Sequence, residues 1–204
     1  CLCLVGSEMC IRDRYSFIPQ QWKGAHIVPI PKVAHPKTTA DYRPIALTSV
    51  LCKQLERMIV DQIMLHTMKI WKANDQYGFL PGCSTIDAVA QLIEDWCAGI
   101  EHGKSIHAIF FDFAKAFDQV RHDLLLDKLS QLLPRQIVSW VANYLTGRQQ
   151  RVYINGKATE WKEVEAGVIQ GSVLGPVLFI LFIADINNSI PRHIRSLKYA
   201  DDLL

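Results

Sequence analysis

The chain has 204 residues, half of them apolar and 21% charged, a balance that excludes a disordered tail or a coiled coil and suffices to bury the core of one domain with two lobes. Its 22 basic and 20 acidic residues leave a net charge of +2, so composition does not mark a nucleic-acid binder and any basic groove has to come from local clustering. The most apolar run, Val177 to Ala184, falls far short of the roughly 20 residues a bilayer span needs, so no membrane association is predicted.

The chain opens with CLCLVGSEMCIRDR, residues 1–14, which resembles translated adaptor sequence and reads as a non-native leader. That leader holds Cys1, Cys3 and Cys10. The remaining cysteines, Cys52, Cys83 and Cys97, form no Cys-x-x-Cys pair, which argues against a zinc site or disulfide framework and for a reducing, intracellular setting in cytoplasm or nucleus. From Trp22 to Lys32 alternation mixed with prolines predicts an edge strand or extended arm rather than a central strand. Apolar residues from Ile45 to Met68 recur at helical spacing, with Thr48 or Ser49 as cap. Gln76 to Ser84 is dense in turn formers. Thr85 or Asp87 then caps a helix to about Cys97, with Ala88, Val89, Leu92, Ile93 and Trp96 on its inner face and Gly99 and Gly103 closing it.

His107 to Phe111 is a short apolar stretch that predicts a strand buried on both faces and ending at Asp112. Helices are expected from Asp123 to Leu133, stopped by Pro134, and from Arg135 to Leu145, stopped by Gly147. Arg151 to Ile154 and Trp161 to Ala166 flank Asn155-Gly156 and read as a hairpin. A Gly-rich segment from Gly167 leads into a buried helix through Ile186 with Pro176 near its first turn, and Ser196 to Tyr199 reads as a last strand delivering Asp201 and Asp202. Helices interleaved with a few strands make the fold class α+β.

The chemistry concentrates in Asp112 at the end of one apolar strand and Asp201-Asp202 at the end of another. Carboxylates there are costly unless a cation or hydrogen bonds compensate them. Oxygen ligands suit Mg²⁺, and two such ions roughly 3.5–4 Å apart serve phosphoryl transfer. Adjacent strand residues point to opposite faces, so Asp201 and Asp202 share a site only at a turn, which predicts a hairpin tip. Taken alone, Asp112 reads more readily as a helix cap and Asp201-Asp202 as a solvated turn.

The joint pattern resembles the palm motifs of reverse transcriptases. It consists of IFFDFAKAFDQVRHDLLLDKL (109–129), GVIQGSVLGPVLFILFIADI (167–186) and Tyr199-Ala200-Asp201-Asp202, in that order. Upstream, DYRPIALTSVLCKQLERM (41–58) and residues 76–89 resemble the preceding fingers motifs. The wording is most similar to non-LTR retrotransposon polymerases.

The resemblance implies a right-hand polymerase fold without its thumb: a fingers-like region over 15–105 and a palm, an antiparallel sheet backed by helices, over 106–204. It implies an RNA-directed DNA polymerase that adds deoxynucleotides to a DNA primer 3′-hydroxyl on an RNA template with two Mg²⁺ ions, or Mn²⁺ in their place. Asp112, Asp201 and Asp202 match the catalytic, metal-binding acids. Phe117 matches the aromatic beneath the incoming sugar that excludes a 2′-hydroxyl. Gln170 and Gly171 match the loop against the nucleotide, where glycine permits close backbone approach and the amide both donates and accepts.

No P-loop pattern holds the triphosphate. Arg43 and Lys53 are therefore candidate nucleotide contacts, and Tyr199 and Lys32 candidate primer or template contacts. The second fingers block departs from the family at Leu80 and Cys83, where arginines are usual. That departure raises the alternative of a non-catalytic RNA-binding remnant. The strand returning from the acidic hairpin is expected to be missing along with the thumb, so the fragment itself is expected to be inactive.

Overall fold

A computed structural model describes residues 17–204 apart from 74 and 192, with the backbone alone for 68–73. In chain order the elements are β1 (Gly24–Pro31), β2 (Tyr42–Leu47), α1 (Val50–Ala73), α2 (Thr85–Glu101), β3 (Phe111–Asp112), α3 (His122–Leu132), α4 (Arg135–Leu145), β4 (Gln149–Ile154), β5 (Lys157–Ala158), β6 (Lys162–Glu163), α5 (Leu174–Phe182), β7 (Lys198–Tyr199) and β8 (Asp202–Leu203). The adaptor-like leader lies outside the described residues. No helix among the described residues is long and apolar enough to cross a membrane.

The core forms around α5, whose residues Leu174, Gly175 and Val177 to Leu181 are all buried, as befits a helix apolar on every side. Three amphipathic helices wrap it. On α1 the buried residues Cys52, Leu55, Ile59 and Ile63 recur every three or four positions. Leu125 and Leu129 of α3 and Ile137, Trp140, Val141, Tyr144 and Leu145 of α4 do the same. Trp140 and Tyr144 stack with centroids 5.4 Å apart.

Two sheets flank this core. In the larger, β1 lies between antiparallel β2 and parallel β4, and both β5 and β6 pair with β4. The predicted edge strand is therefore half right. Only Gly24 to Ile27 pair with β4, so Pro29 and Pro31 fall where that side of β1 is free and a missing N–H costs nothing. Asn155 and Gly156, both with positive φ, form the predicted hairpin turn. The return strand differs: it starts at Lys157 and breaks into β5 and β6 instead of running from Trp161 to Ala166.

The second sheet is β3-β8-β7, antiparallel throughout. The returning strand expected to be absent is present as Asp202–Leu203, paired on both sides.

Three other expectations need correction. Ile45 to Leu47 are strand, not helix, because they pair with β1 from Val28 back to His26, and α1 begins only after Ser49. The strand predicted over 107–111 pairs only at Phe111–Asp112, and it is open to solvent: Phe110 is 74% exposed and Phe111 53%. On α2 the capping box is made by Ser84 and Asp87. Of its predicted inner face only Ala88 is buried, while Val89 and Ile93 are more than half exposed. Apolar spacing identifies a face but not the element that covers it.

Candidate active site

The site is built on the smaller sheet. In the register of β3 with β8, Asp112 stands directly opposite Asp202 and Phe111 opposite Leu203. Residues opposed in this way hold their Cβ atoms about 4.5–5.5 Å apart on one face of the sheet. Tyr199 pairs with Asp202 across the β7–β8 hairpin, which leaves Ala200 and Asp201 as its two-residue turn. The expected hairpin tip is present, and it gathers both chain-distant acidic segments. Asp112 and Asp202 are exposed and Asp201 half-buried.

The Asp202 carboxyl is held above the usual carboxylate range, first by partial desolvation and then by the neighbouring charges of Asp201 and Asp112. All the donors are carboxylate oxygens, the set that suits a hard divalent cation, and a cation would relieve that repulsion. The residues thus fit a metal of this class in kind. Among the described residues no group of three or more His, Cys, Asp or Glu is already arranged as a metal cage. Behind the hairpin Lys198 is buried, its Nζ donating to Asn187 Oδ1 at 3.1 Å, and burial lowers its pKa against the opposing pull of Asp75 and Asp185.

The aromatic and the glutamine loop come together beside this hairpin. Phe117 lies half-buried in a short 3-10 turn, Ala116–Gln119, stacked on Phe179 at 4.7 Å and met edge-on by Phe79 at 6.0 Å. The loop before α5 is zipped to that turn: Val168 N donates to Phe117 O and Gly167 N to Val120 O, each at 2.8 Å. Gly167 has φ +89, and a Cβ there would sit 2.9 Å from the Asp118 Cα, so only glycine fits.

Four residues further along the same holds for Gly171, at φ +100 with a Cβ position 2.9 Å from the Ala46 carbonyl oxygen. Gln170 bonds both ways: its carbonyl accepts from Ala46 N at 2.8 Å and its Nε2 donates to Asp118 Oδ1 at 3.2 Å. The free edge of β2, the Gln170-Gly171 loop and the Phe117 turn therefore form one unit.

Arg43 and Lys32 are exposed on and just after the β1–β2 arm, and Lys53 is half-buried in the first turn of α1. Among the described residues none of the three makes a side-chain hydrogen bond or ion pair that ties it to the acids. Leu80 packs partly buried against the main core, so its apolar side chain has a structural place, whereas Cys83 is exposed.

Two residues of this assembly escaped the sequence reading. Asp118 holds Gln170 across 52 positions, and no local pattern announces that. Glu56 gave a readable signal, an acid in the middle of the apolar stripe of α1. It is fully buried, and its Oε2 accepts from Val173 N at 2.7 Å and Leu174 N at 3.1 Å, the amides that open α5. Its Oε1 accepts from the Tyr144 hydroxyl at 3.0 Å. Glu56 thus fixes the helix that follows the glutamine loop.

An acidic hairpin against a short strand, backed by a helical core and flanked by a mixed sheet, makes the fold a fingers-and-palm-like α+β architecture. The fold of apo telomerase from Candida tropicalis truncated from its C-terminal domain agrees, with a TM-score of 0.62 at 14% identity over 97% of this chain and 47% of that one. Telomerase from Candida albicans in complex with the TWJ fragment of telomeric RNA gives 0.61 at 15% identity, over 92% of this chain and 39% of that one. The chain belongs to the reverse transcriptase (RNA-dependent DNA polymerase) family, whose model matches residues 30–204.

Among curated relatives it is 34% identical over 198 residues to the probable RNA-directed DNA polymerase from transposon BS of Drosophila melanogaster, covering 93% of this chain and 22% of that protein. It is 32% identical to the RNA-directed DNA polymerase from mobile element jockey of the same species, over 91% of this chain and 21% of that one. The Pol polyprotein of its type-2 retrotransposable element R2DM is 29% identical over 92% of this chain and 18% of its own length. The chain spans about a fifth of the length of these relatives.

Proposed function

We propose that this chain supplies the nucleotide-adding centre of a non-LTR retrotransposon polymerase that copies RNA into DNA, extending a DNA primer with deoxynucleoside triphosphates. The observation that carries the reading is the register of β3 with β8, which sets Asp112 opposite Asp202 with Asp201 one residue away at the turn. Two Mg²⁺ ions, or Mn²⁺ in their place, would supply a lowered pKa to the attacking hydroxyl and neutralise the departing pyrophosphate. Asp112 and Asp201 would hold those ions, with Asp202 the second acid of the turn.

The remaining residues position the reactants, which is most of what a protein does in phosphoryl transfer. Phe117 offers a ring held from two sides by Phe79 and Phe179, a rigid floor beneath the incoming sugar. The Gln170-Gly171 loop, pinned by Asp118 and Ala46, brings backbone close to the base pair being formed. Tyr199 lies on the same hairpin and is assigned to the primer end. Arg43, Lys53 and Lys32 are assigned to triphosphate and template phosphates, and affinity through such contacts falls with salt.

The test is Asp201→Asn in the full-length parent, assayed by primer extension on RNA and DNA templates together with template affinity. Extension is expected to fall to background while RNA binding is kept. Undiminished synthesis by the variant removes the metal assignment. A wild-type parent that binds RNA and extends nothing is instead the remnant that Leu80 and Cys83 suggest.

A further inference from the structure

The acidic turn is unusual in its backbone. Ala200 is not glycine, yet it takes φ +57 so that the chain can reverse between the paired Tyr199 and Asp202. An L-residue is strained in that conformation and persists there only where its surroundings impose it. Asp201 follows directly, so whatever imposes that conformation also places the candidate metal ligands.

The segment Asp75 to Gly78 does so from the side of the hairpin away from β3. Gln76 bridges Lys198 in parallel, with Lys198 N donating to Asp75 O at 2.8 Å and Tyr77 N donating to Lys198 O at 2.9 Å. The Gln76 side chain is buried and turns to the turn itself: its Oε1 accepts from Ala200 N at 3.1 Å and from Gly78 N at 2.7 Å. Gly78 lies so close that a Cβ on it would fall 2.2 Å from Ala200 N, leaving no room for any other residue. The amide nitrogen of Gln76 is buried with no partner among the described residues. Two backbone amides converge on the one side-chain oxygen, so the carbonyl is the part the fold uses.

We propose that Gln76 is a positioning residue of the polymerase centre: its side-chain carbonyl clamps the Ala200 peptide and so fixes Asp201 and Asp202 beside Asp112. The proposal rests on the reading of those acids as the metal site, and its test separates the two. In the full-length parent, Gln76→Met keeps length and removes the acceptor. Gln76→Glu keeps an accepting oxygen and gives up only the nitrogen that has no partner among the described residues. Gln76→Ala repeats the loss should Gln76→Met not fold.

The first measurement is hydrogen exchange at Ala200 in metal-free protein, which needs no activity. Exchange is expected to speed up about tenfold in Gln76→Met, the effect of one lost hydrogen bond, and to return toward wild type in Gln76→Glu. The second is the Mg²⁺ concentration for half-maximal extension, expected to rise about tenfold in Gln76→Met while template affinity holds. Wild-type exchange at Ala200 in the Met and Ala variants overturns the proposal. So does a loss of thermal stability shared by all variants with the Mg²⁺ requirement unchanged. Failure of the metal assignment appears separately, as extension surviving Asp201→Asn, and leaves the exchange result standing.

Discussion

Glu56 lies fully buried and accepts hydrogen bonds from Val173 N, Leu174 N and the Tyr144 hydroxyl. Asp112 on β3 crowds Asp201 and Asp202 on the partly solvated hairpin beside it, and among the described residues no side chain donates to them. The fold thus treats the same functional group in two ways. Where it supplies donors for every lone pair it needs, the carboxylate is a scaffold part, and the amides it satisfies belong to a helix start that would otherwise be orphaned. Where it sets Asp112 opposite Asp202 beside Asp201 and, among the described residues, supplies no side-chain donor, the charges are left to solvent or to a bound cation.

The hardest way to break this contrast is to remove the scaffold acid. Glu56→Leu fits the apolar stripe of α1 but strands two backbone amides and a buried phenol. A loss of about 3 kcal/mol or more is expected in urea or thermal denaturation, since each buried donor left unpaired costs roughly 1–3 kcal/mol. The corresponding change at the hairpin, Asp201→Asn, is expected to leave stability nearly untouched. Equal effects at the two sites would erase the distinction.

Much of this was legible in the sequence, and the parts that were not share a cause. Pro134 and Gly147 frame α4 so firmly that its span, Arg135 to Leu145, is read correctly from spacing and stop signals alone. Asn155-Gly156 announces its turn by chemistry, and the rule that adjacent acids meet only at a turn places Asp201 and Asp202 correctly. These are local signals. Ile45 to Leu47 carry helix-like spacing and became strand because β1 lies beside them. The apolar run before Asp112 promised burial, yet burial depends on which element covers it, and Phe110 is exposed. Gln76 holds Ala200 across 124 positions, Asp118 holds Gln170 across 52, and Glu56 holds Tyr144 and Val173 across 88 and 117, where no periodicity reaches.

A subtler probe of the buried side is Cys52, whose thiol lies 3.5 Å from Glu56 Oε1. Its pKa is pushed up to about 12, chiefly by burial and then by the Glu56 charge, while Cys83 and Cys97 lie exposed. The thiolate is the reactive form, so such a shift leaves Cys52 about a thousandfold less ionised than an ordinary thiol near pH 8. Alkylation of native protein followed by mass spectrometry is expected to modify Cys83 and Cys97 and spare Cys52 until the protein is unfolded. Labelling of Cys52 at a comparable rate would mean that the Glu56 pocket opens.

The smallest expected effect tests the exposed side, and its sign follows from linkage. The Asp202 carboxyl is raised in the folded state, so folding favours its protonated form. The resulting stability is fully present below the unfolded carboxyl range and is lost as pH rises through the raised folded value. At neutral pH the ionised group therefore works against the fold, and Asp202→Asn is expected to raise Tm slightly there. The gain should shrink as pH falls through the range in which the folded carboxyl takes up its proton, because wild type and variant are then both neutral at that position. Solvent and salt screen a group this exposed, so the difference should also narrow at high ionic strength. A thermal-melt series on this metal-free chain across pH and salt reads all three trends. A variant less stable than wild type at neutral pH would show that Asp202 is compensated within the chain, as Glu56 is, and the contrast between the two sets of acids would collapse.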